Sequence, residues 1–219
     1  LLMLLLSTAA ALPIIPALGQ PTTPADMYLK PDDNDFWYTA PDTWPYTYGQ
    51  KFPGQRVQYN ETSGTGDWFL VEVRLANYSE VHSFQFKLNF NATLLSCIGA
   101  TTAPTSDYIF GTTGYPVSPS IDNVAGYVLL YGVNQTWGPF SGTDIGLAHI
   151  KFMVKLEPPE GTTYSYELNF APQTPAPGTW IQWSDETFLP LNRYTGTYSI
   201  EGRPPPPAYL EVSPTTYTM

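Results

Sequence analysis

Between residues 68 and 91, hydrophobic and polar side chains alternate with period two, in two successive runs. In the first run Phe69, Val71, Val73 and Leu75 point one way, and Leu70, Glu72, Arg74 and Ala76 the other. In the second, Phe84, Phe86, Leu88 and Phe90 share one face, and Gln85, Lys87 and Asn89 the opposite one. A strand turns successive side chains to opposite faces. Strict alternation in β-branched and aromatic residues therefore predicts two half-buried antiparallel strands. The polar Asn77-Tyr78-Ser79-Glu80 between them predicts a turn. Leu70 is the one misfit on its polar side, while the two inward sets are complementary halves of a core.

The same reading predicts further short strands along the chain. They fall at 57–60, 94–99, 126–134, 146–155, 164–170, 180–184, 186–189 and 194–200, with Tyr108-Ile109-Phe110 as a short apolar segment between loops. The run GYVLLYGVN at 126–134 is apolar on both faces, as in a central strand. In GLAHIKFMVK, Ala148, Ile150, Phe152 and Val154 face inward, and His149, Lys151 and Met153 outward. GPFSGTD at 138–144 reads as a turn cluster. No segment carries a 3.6-residue apolar repeat, so the pattern predicts an all-β sandwich.

The two ends differ from this middle. Residues 1–19, LLMLLLSTAAALPIIPALG, have the apolar length of a secretory leader and end in small residues suited to cleavage before Gln20. The competing reading is a retained membrane anchor, against which Pro13 and Pro16 count. Residues 20–55 are rich in Pro, Asp and aromatics, and Pro31, Pro41 and Pro45 bar a long helix. They predict an extended arm on a domain surface, with the sandwich itself at 56–202. Arg203 and the four prolines 204–207 predict a polyproline II spacer. Residues 208–219 alternate again, as the start of a further β-domain or a strand available to a neighbour.

Composition narrows the function. Charged residues make up 13% of the 219, about half the ordinary share, and the net charge is −10. A nucleic-acid partner would need clustered Lys and Arg, and there are nine in all, so nucleic acid is excluded. Cys97 is the single cysteine, which rules out an internal disulfide, and its setting in Leu94-Leu95-Ser96-Cys97-Ile98 reads as packing. A catalytic thiol would want a base, and His82 and His149 are the two histidines.

Candidate chemistry is sparse. The N-x-Ser/Thr acceptor occurs at Asn60, Asn77, Asn91 and Asn134, all at predicted turns or strand ends, and predicts glycosylation of an exported chain. Asp32, Asp33 and Asp35, with Asn34, are hard oxygen donors of the kind calcium takes, although their spacing departs from an EF-hand loop. The same acids also read as a solvated turn. No nucleophile elbow, zincin helix, P-loop or dinucleotide fingerprint occurs. Trp137, Trp180 and Trp183 lie near predicted strand ends, where packing competes with sugar stacking as their role.

From about Val57 to Ile200 the order of elements resembles a cohesin domain. The resemblance rests on FLVEVRLANYSEVHSFQFKLNFNATLLSCIGA, GYVLLYGVN and SGTDIGLAHIKFMVK. Ser83 through Leu95 matches the family's G-F-x-F-x-L-x-Y-D-P-x-x-L segment, with Ser83 for the usual Gly and Asn91-Ala92 for the usual Asp-Pro. Gly146 through Val154 matches the later G-x-L-x-x-I-x-F-x-V strand. The resemblance implies an antiparallel jelly-roll sandwich of about nine strands in an extracellular or cell-surface protein. It also implies a non-enzymatic module that binds a dockerin-like partner through one sheet face. On that face Gln85, Lys87 and Asn89 are the outward residues to test. Two alternatives remain open at this stage. One is a self-assembling subunit of a filament, tube or surface layer that exchanges strands with copies of itself. The other is a carbohydrate-binding module for a polysaccharide.

Overall fold

The two alternating runs do not pair with each other. The computed structural model describes residues 23–31, 38–39, 47–50, 68–101, 108–110, 119–134, 140–156, 158–183 and 186–201. In it the runs lie in opposite sheets of a sandwich, β4 (Trp68–Val81) in one and β5 (Ser83–Asn89) in the other. His82 alone links them. Its N–H donates to the Gln182 carbonyl (2.8 Å) and its carbonyl accepts from Asn134 N–H (2.9 Å), which anchors the corner.

The first sheet adds β1 (Ala25–Pro31), β6 (Leu95–Thr101), β9 (Phe140–Val154) and β12 (Leu191–Arg193), in the order β12-β1-β4-β9-β6. The second adds β2 (Tyr38–Thr39), β3 (Thr47–Gln50), β7 (Ser120–Asp122), β8 (Tyr127–Val133), β10 (Thr163–Phe170), β11 (Trp180–Gln182) and β13 (Gly196–Glu201). Its order is β2-β3-β13-β10-β5-β8-β7. β8 pairs with β5 from Ser83 to Asn89, so β10 and β11 share the opposite edge of β5 end to end. Every described element is a strand, as the spacing of apolar residues predicts.

Both inward sets meet in the core. Phe69, Val71, Val73, Leu75, Phe84, Phe86 and Leu88 are fully buried, with Phe90 nearly so. Phe152 of β9 stacks on Phe69 at 5.4 Å and takes Phe90 edge-on at 5.2 Å, bridging the two halves. Phe86 meets Phe170 edge-on, and Phe84 stacks on Phe110, which in turn meets Phe140. Such aromatic pairs add about 0.5–1.5 kcal/mol each beyond the area they bury. At one rim, Asn123 closes the sandwich with a side-chain amide: it accepts from Cys97 N–H (2.7 Å) and donates to the Cys97 carbonyl (2.9 Å).

Three local expectations are corrected. The predicted turn at 77–80 is strand: β4 runs on to Val81 as a bulged ribbon, with Asn77 and Glu80 at positive φ. The predicted turn cluster at 138–144 is strand from Phe140, where β9 pairs with that extension. Gly142 is present because the Tyr78 ring lies across it, and a Cβ there would sit 2.5 Å from the Tyr78 hydroxyl. The start of the predicted surface arm is also strand. β1 lies between β12 and β4, with Ala25, Met27 and Leu29 in the core. The predicted strand at 57–60 and the ends 1–19 and 203–219 lie outside the described residues.

Asp26 ties β1 to its neighbours. Its carboxylate accepts from Asn192 (2.9 Å), Tyr194 (3.1 Å) and Asn77 (3.0 Å). Burial pushes its pKa up, and the hydrogen bonds from Asn192, Asn77 and Tyr194 more than offset this, holding it below the ordinary value. Cys97 is buried, and desolvation pushes its thiol pKa up to about 11, against a smaller lowering by a backbone hydrogen bond with Gly99. It is a packed thiol, as its sequence setting predicts.

These features yield three expected outcomes. Leu29→Ala should lower unfolding free energy by about 2–4 kcal/mol in denaturant melts, since Leu29 is 3% exposed; a surface arm would lose almost nothing. Asp26→Asn should cost about 1–2 kcal/mol near pH 7. A depressed carboxylate stabilises above its unfolded pKa of about 4 and loses that contribution as pH falls through its folded value. The gap between wild type and Asp26→Asn should therefore narrow in melts repeated at acid pH. Cys97, with its thiolate suppressed, should react with a disulfide reagent at pH 8 only after denaturation. Prompt labelling of the native protein would refute its burial.

Candidate protein-binding face

Each sheet has an outer face, and the two differ. On the outer side of the β1-β4-β9-β6 region, Tyr28, Glu72, Arg74, Ser96 and Met153 are all buried. Arg74 is clamped between two carboxylates, with Nη1 at 2.6 Å from Glu72 and Nη2 at 3.0 Å from Asp144. The Tyr28 hydroxyl donates to the same Asp144 carboxylate at 2.8 Å. Burial first, then the Asp144 hydrogen bond and charge, push the Tyr28 phenol up, so it stays a donor. Around Arg74 this side is an ionic network, while Trp68, Leu70, His149 and Lys151 on the same face are partly open, the Lys151 ammonium lying 3.9 Å from the centre of the Trp68 ring.

The outer face of β7-β8-β5 and β10/β11 is half-exposed and built in rows across the strands. Trp180, Gln85 and Tyr131 form one row, Lys87, Leu129 and Ser120 a second, and Asn169, Asn89, Tyr127 and Asp122 a third. The burial of β8 alternates without a break: Val128 and Leu130 are buried, while Tyr127, Leu129 and Tyr131 are partly open. Trp180 meets Tyr131 edge-on at 5.8 Å and Phe188 edge-on at 5.7 Å, and Phe188 is 48% exposed. The Lys87 ammonium lies 4.4 Å from the centre of the Tyr127 ring. The result is an apolar, aromatic strip with one cation on it.

A flap borders the strip. Between β10 and β11 the chain leaves the edge of β5 and returns to the same residue of it. Ala171 N–H donates to the Lys87 carbonyl (2.8 Å), and the Thr179 hydroxyl accepts from Lys87 N–H (3.1 Å). Gln85 Nε2 donates to the Gly178 carbonyl (2.8 Å). The neck is so narrow that a Cβ on Gly178 would lie 2.2 Å from the Pro172 carbonyl oxygen. Pro172, Thr174, Pro175, Ala176 and Pro177 are left exposed outside it.

The structure thus brings Gln85, Lys87 and Asn89 together on one open face, with different tasks. Lys87 and Asn89 are on the surface of the strip, while Gln85 is committed to the flap. The residues that sequence reasoning passed over are Tyr127, Leu129, Tyr131 and Phe188; Trp180 was weighed only as a packing or sugar-stacking residue. The signal for three of them was present: in GYVLLYGVN, Tyr127, Leu129 and Tyr131 fall on one side of a period-two strand and Val128, Leu130 and Gly132 on the other. Trp183 packs partly buried against the core. Asn77 and Asn91 are exposed. Asn134 is 3% exposed, and that burial counts against the glycan expected there. Asn60, Trp137, Asp32, Asp33 and Asp35 lie outside the described residues. Among the described residues, no group of three or more His, Cys, Asp or Glu is placed to hold a metal ion.

No family profile matches the sequence, and no curated protein does. Solved structures do match. The OlpC cohesin of Clostridium thermocellum, solved in a cohesin–dockerin complex, superposes with a TM-score of 0.51 at 12% identity, over 82% of this chain and 94% of that one. The third ScaC cohesin of Acetivibrio cellulolyticus, also in complex with a dockerin, gives 0.49 at 12% identity, over 62% and 90% of the two chains. A non-cellulosomal cohesin of the archaeon Archaeoglobus fulgidus gives 0.45 at 18% identity, over 62% and 82%. At these identities the likeness is one of fold: the chain is an all-β jelly-roll sandwich of cohesin type.

Proposed function

We propose that this domain is a non-enzymatic, extracellular protein-binding module whose docking surface is the open face of β8, β5 and β11 with the flap beside it. The observation that carries this reading is the contrast between the two outer faces. On one, Glu72 and Arg74 are buried in an ionic network with Asp144 and Tyr28, and the other leaves Tyr127, Leu129, Tyr131, Trp180 and Phe188 partly exposed around Lys87. Aromatic residues dominate the few positions that carry interface energy, because they bury large areas at low entropic cost. The OlpC cohesin was solved in complex with a dockerin, which supports a dockerin-like module as the partner of this face. A flat polysaccharide fits it less well. A flat run of sugar rings stacks on coplanar aromatic faces, whereas the Trp180 ring lies at 61° to Tyr131 and at 68° to Phe188.

The reading predicts a specific footprint. With a purified dockerin-like partner, Tyr131→Ala and Trp180→Ala should each weaken binding by roughly 30-fold or more, the size of a hot-spot loss. Melting temperatures should stay close to wild type. Lys87→Glu should weaken it less. Amide exchange in the complex should protect 85–89, 127–131 and the flap. Protection of the Tyr28–Arg74–Asp144 side instead, or undiminished binding by both aromatic variants, would overturn the assignment. Concentration-dependent self-association abolished by the same variants would make the partner a second copy of the chain.

A further inference from the structure

Asn91 stands apart from the other described acceptor asparagines. Glycosyl transfer needs an exposed amide nitrogen, a reachable hydroxyl two residues on, and a bend that brings them together. Asn134 fails the first condition, being 3% exposed. The Asn77 nitrogen is 3.0 Å from the Asp26 carboxylate, and this contact is one of three that tie β1 in place. At Asn91 the amide oxygen is taken up by the turn, accepting from Thr93 N–H at 3.0 Å. That bond uses the oxygen and leaves Nδ2 as the other polar atom of an exposed side chain. Asn91 and Thr93 are both exposed, and the turn is pinned from beneath by Leu94 and Leu95 N–H donating to the Asn91 carbonyl.

A place for the sugar lies beside it. A shallow cleft of about 550 Å³ runs from Asn91 past Leu94 to Leu156 and Tyr164, with the polar Thr163 and Ser165 on its rim. Leu156 is 39% exposed, and the docking face makes no use of it. An N-acetylhexosamine has an apolar face that suits Leu156 and Tyr164, and hydroxyls that suit a polar rim. We propose that Asn91 carries an N-linked glycan whose first sugar lies in this cleft; the proposal rests on the export reading above. The donor is a polyprenyl-phosphate-linked or pyrophosphate-linked oligosaccharide. Asn91 Nδ2 attacks the anomeric carbon, the N–C1 bond forms as the C1–O bond breaks, and the lipid phosphate leaves with the electron pair. The displaced amide proton passes to the transferase.

Thr93→Ala is the clean variant, because the turn uses the Thr93 backbone N–H and survives the change; Thr93→Ser restores the hydroxyl. The full chain is expressed in its source cells, with and without these changes. Protein from the medium and from the cells is mapped by peptide mass. The expected result is a glycan on most Asn91 peptides from the medium, bare Asn134 peptides, loss of the added mass in Thr93→Ala and its return in Thr93→Ser. Exported protein with bare Asn91 overturns the proposal and leaves export standing. Protein found only inside the cells, unmodified, overturns both. A glycan at Asn91 that persists in Thr93→Ala also overturns it, since the linkage would then not be the one proposed.

Discussion

The structure depends on one constraint: two alternating strands, joined by a single residue, must turn their apolar faces toward each other. β4 and β5 cannot form a hairpin across His82, because one residue leaves no room for a two-residue turn. The chain changes sheet there instead, and both inward sets become the core. The corner is stable because His82 has its backbone groups taken by Gln182 and Asn134, one from each flank of β5. A buried backbone group left without a partner would cost more than a typical hydrogen bond contributes. The long β4–β9 ladder then carries the first sheet, and β8, β10 and β11 complete the second around β5.

The same crossing makes the two outer faces unequal. Polar residues of β4 are forced outward by the alternation, and there they find partners: Arg74 sits between Glu72 and Asp144, with Tyr28 alongside. Polar residues of β5 are forced outward too, but β8 surrounds them with aromatic rings. Breaking β10 from β11 adds the flap, whose neck is held by Gln85, Lys87 and Thr179. A rigid sheet with a tethered loop at its edge is a common way to present contact residues, since the scaffold removes most of the ordering cost of binding.

Much of the core was legible from spacing. Phe69, Val71, Val73 and Leu75 and the set Phe84 to Phe90 are buried as alternation requires, and Cys97 is a packed thiol. The errors share a cause. Asn77, Glu80, Ser141 and Gly142 are turn-forming residues, yet they lie in strands, because Tyr78 crosses Gly142 and the ladder continues past a bulge. The strand Ala25–Pro31 was hidden because its three core residues are short of neighbours in the sequence and bounded by prolines. Its stability comes from Val71 to Ala76 and from Asp26. The proposed binding face was half legible: Lys87 and Asn89 follow from the period, whereas Trp180 and Phe188 join them only through the return of a distant segment.

By itself, the sequence determined the class of the fold and the inward side of each long strand, because period two assigns faces without reference to any partner. It also limited the chemistry, since too few cations are present for a polyanion and no catalytic constellation is spelled out. Only the tertiary structure decided which strands pair, which outward polar groups are buried and which are open, and which of the described acceptor asparagines are exposed. Those properties depend on contacts between residues far apart in the chain. A local pattern says which way a side chain points, and the packed neighbours decide whether anything can reach it.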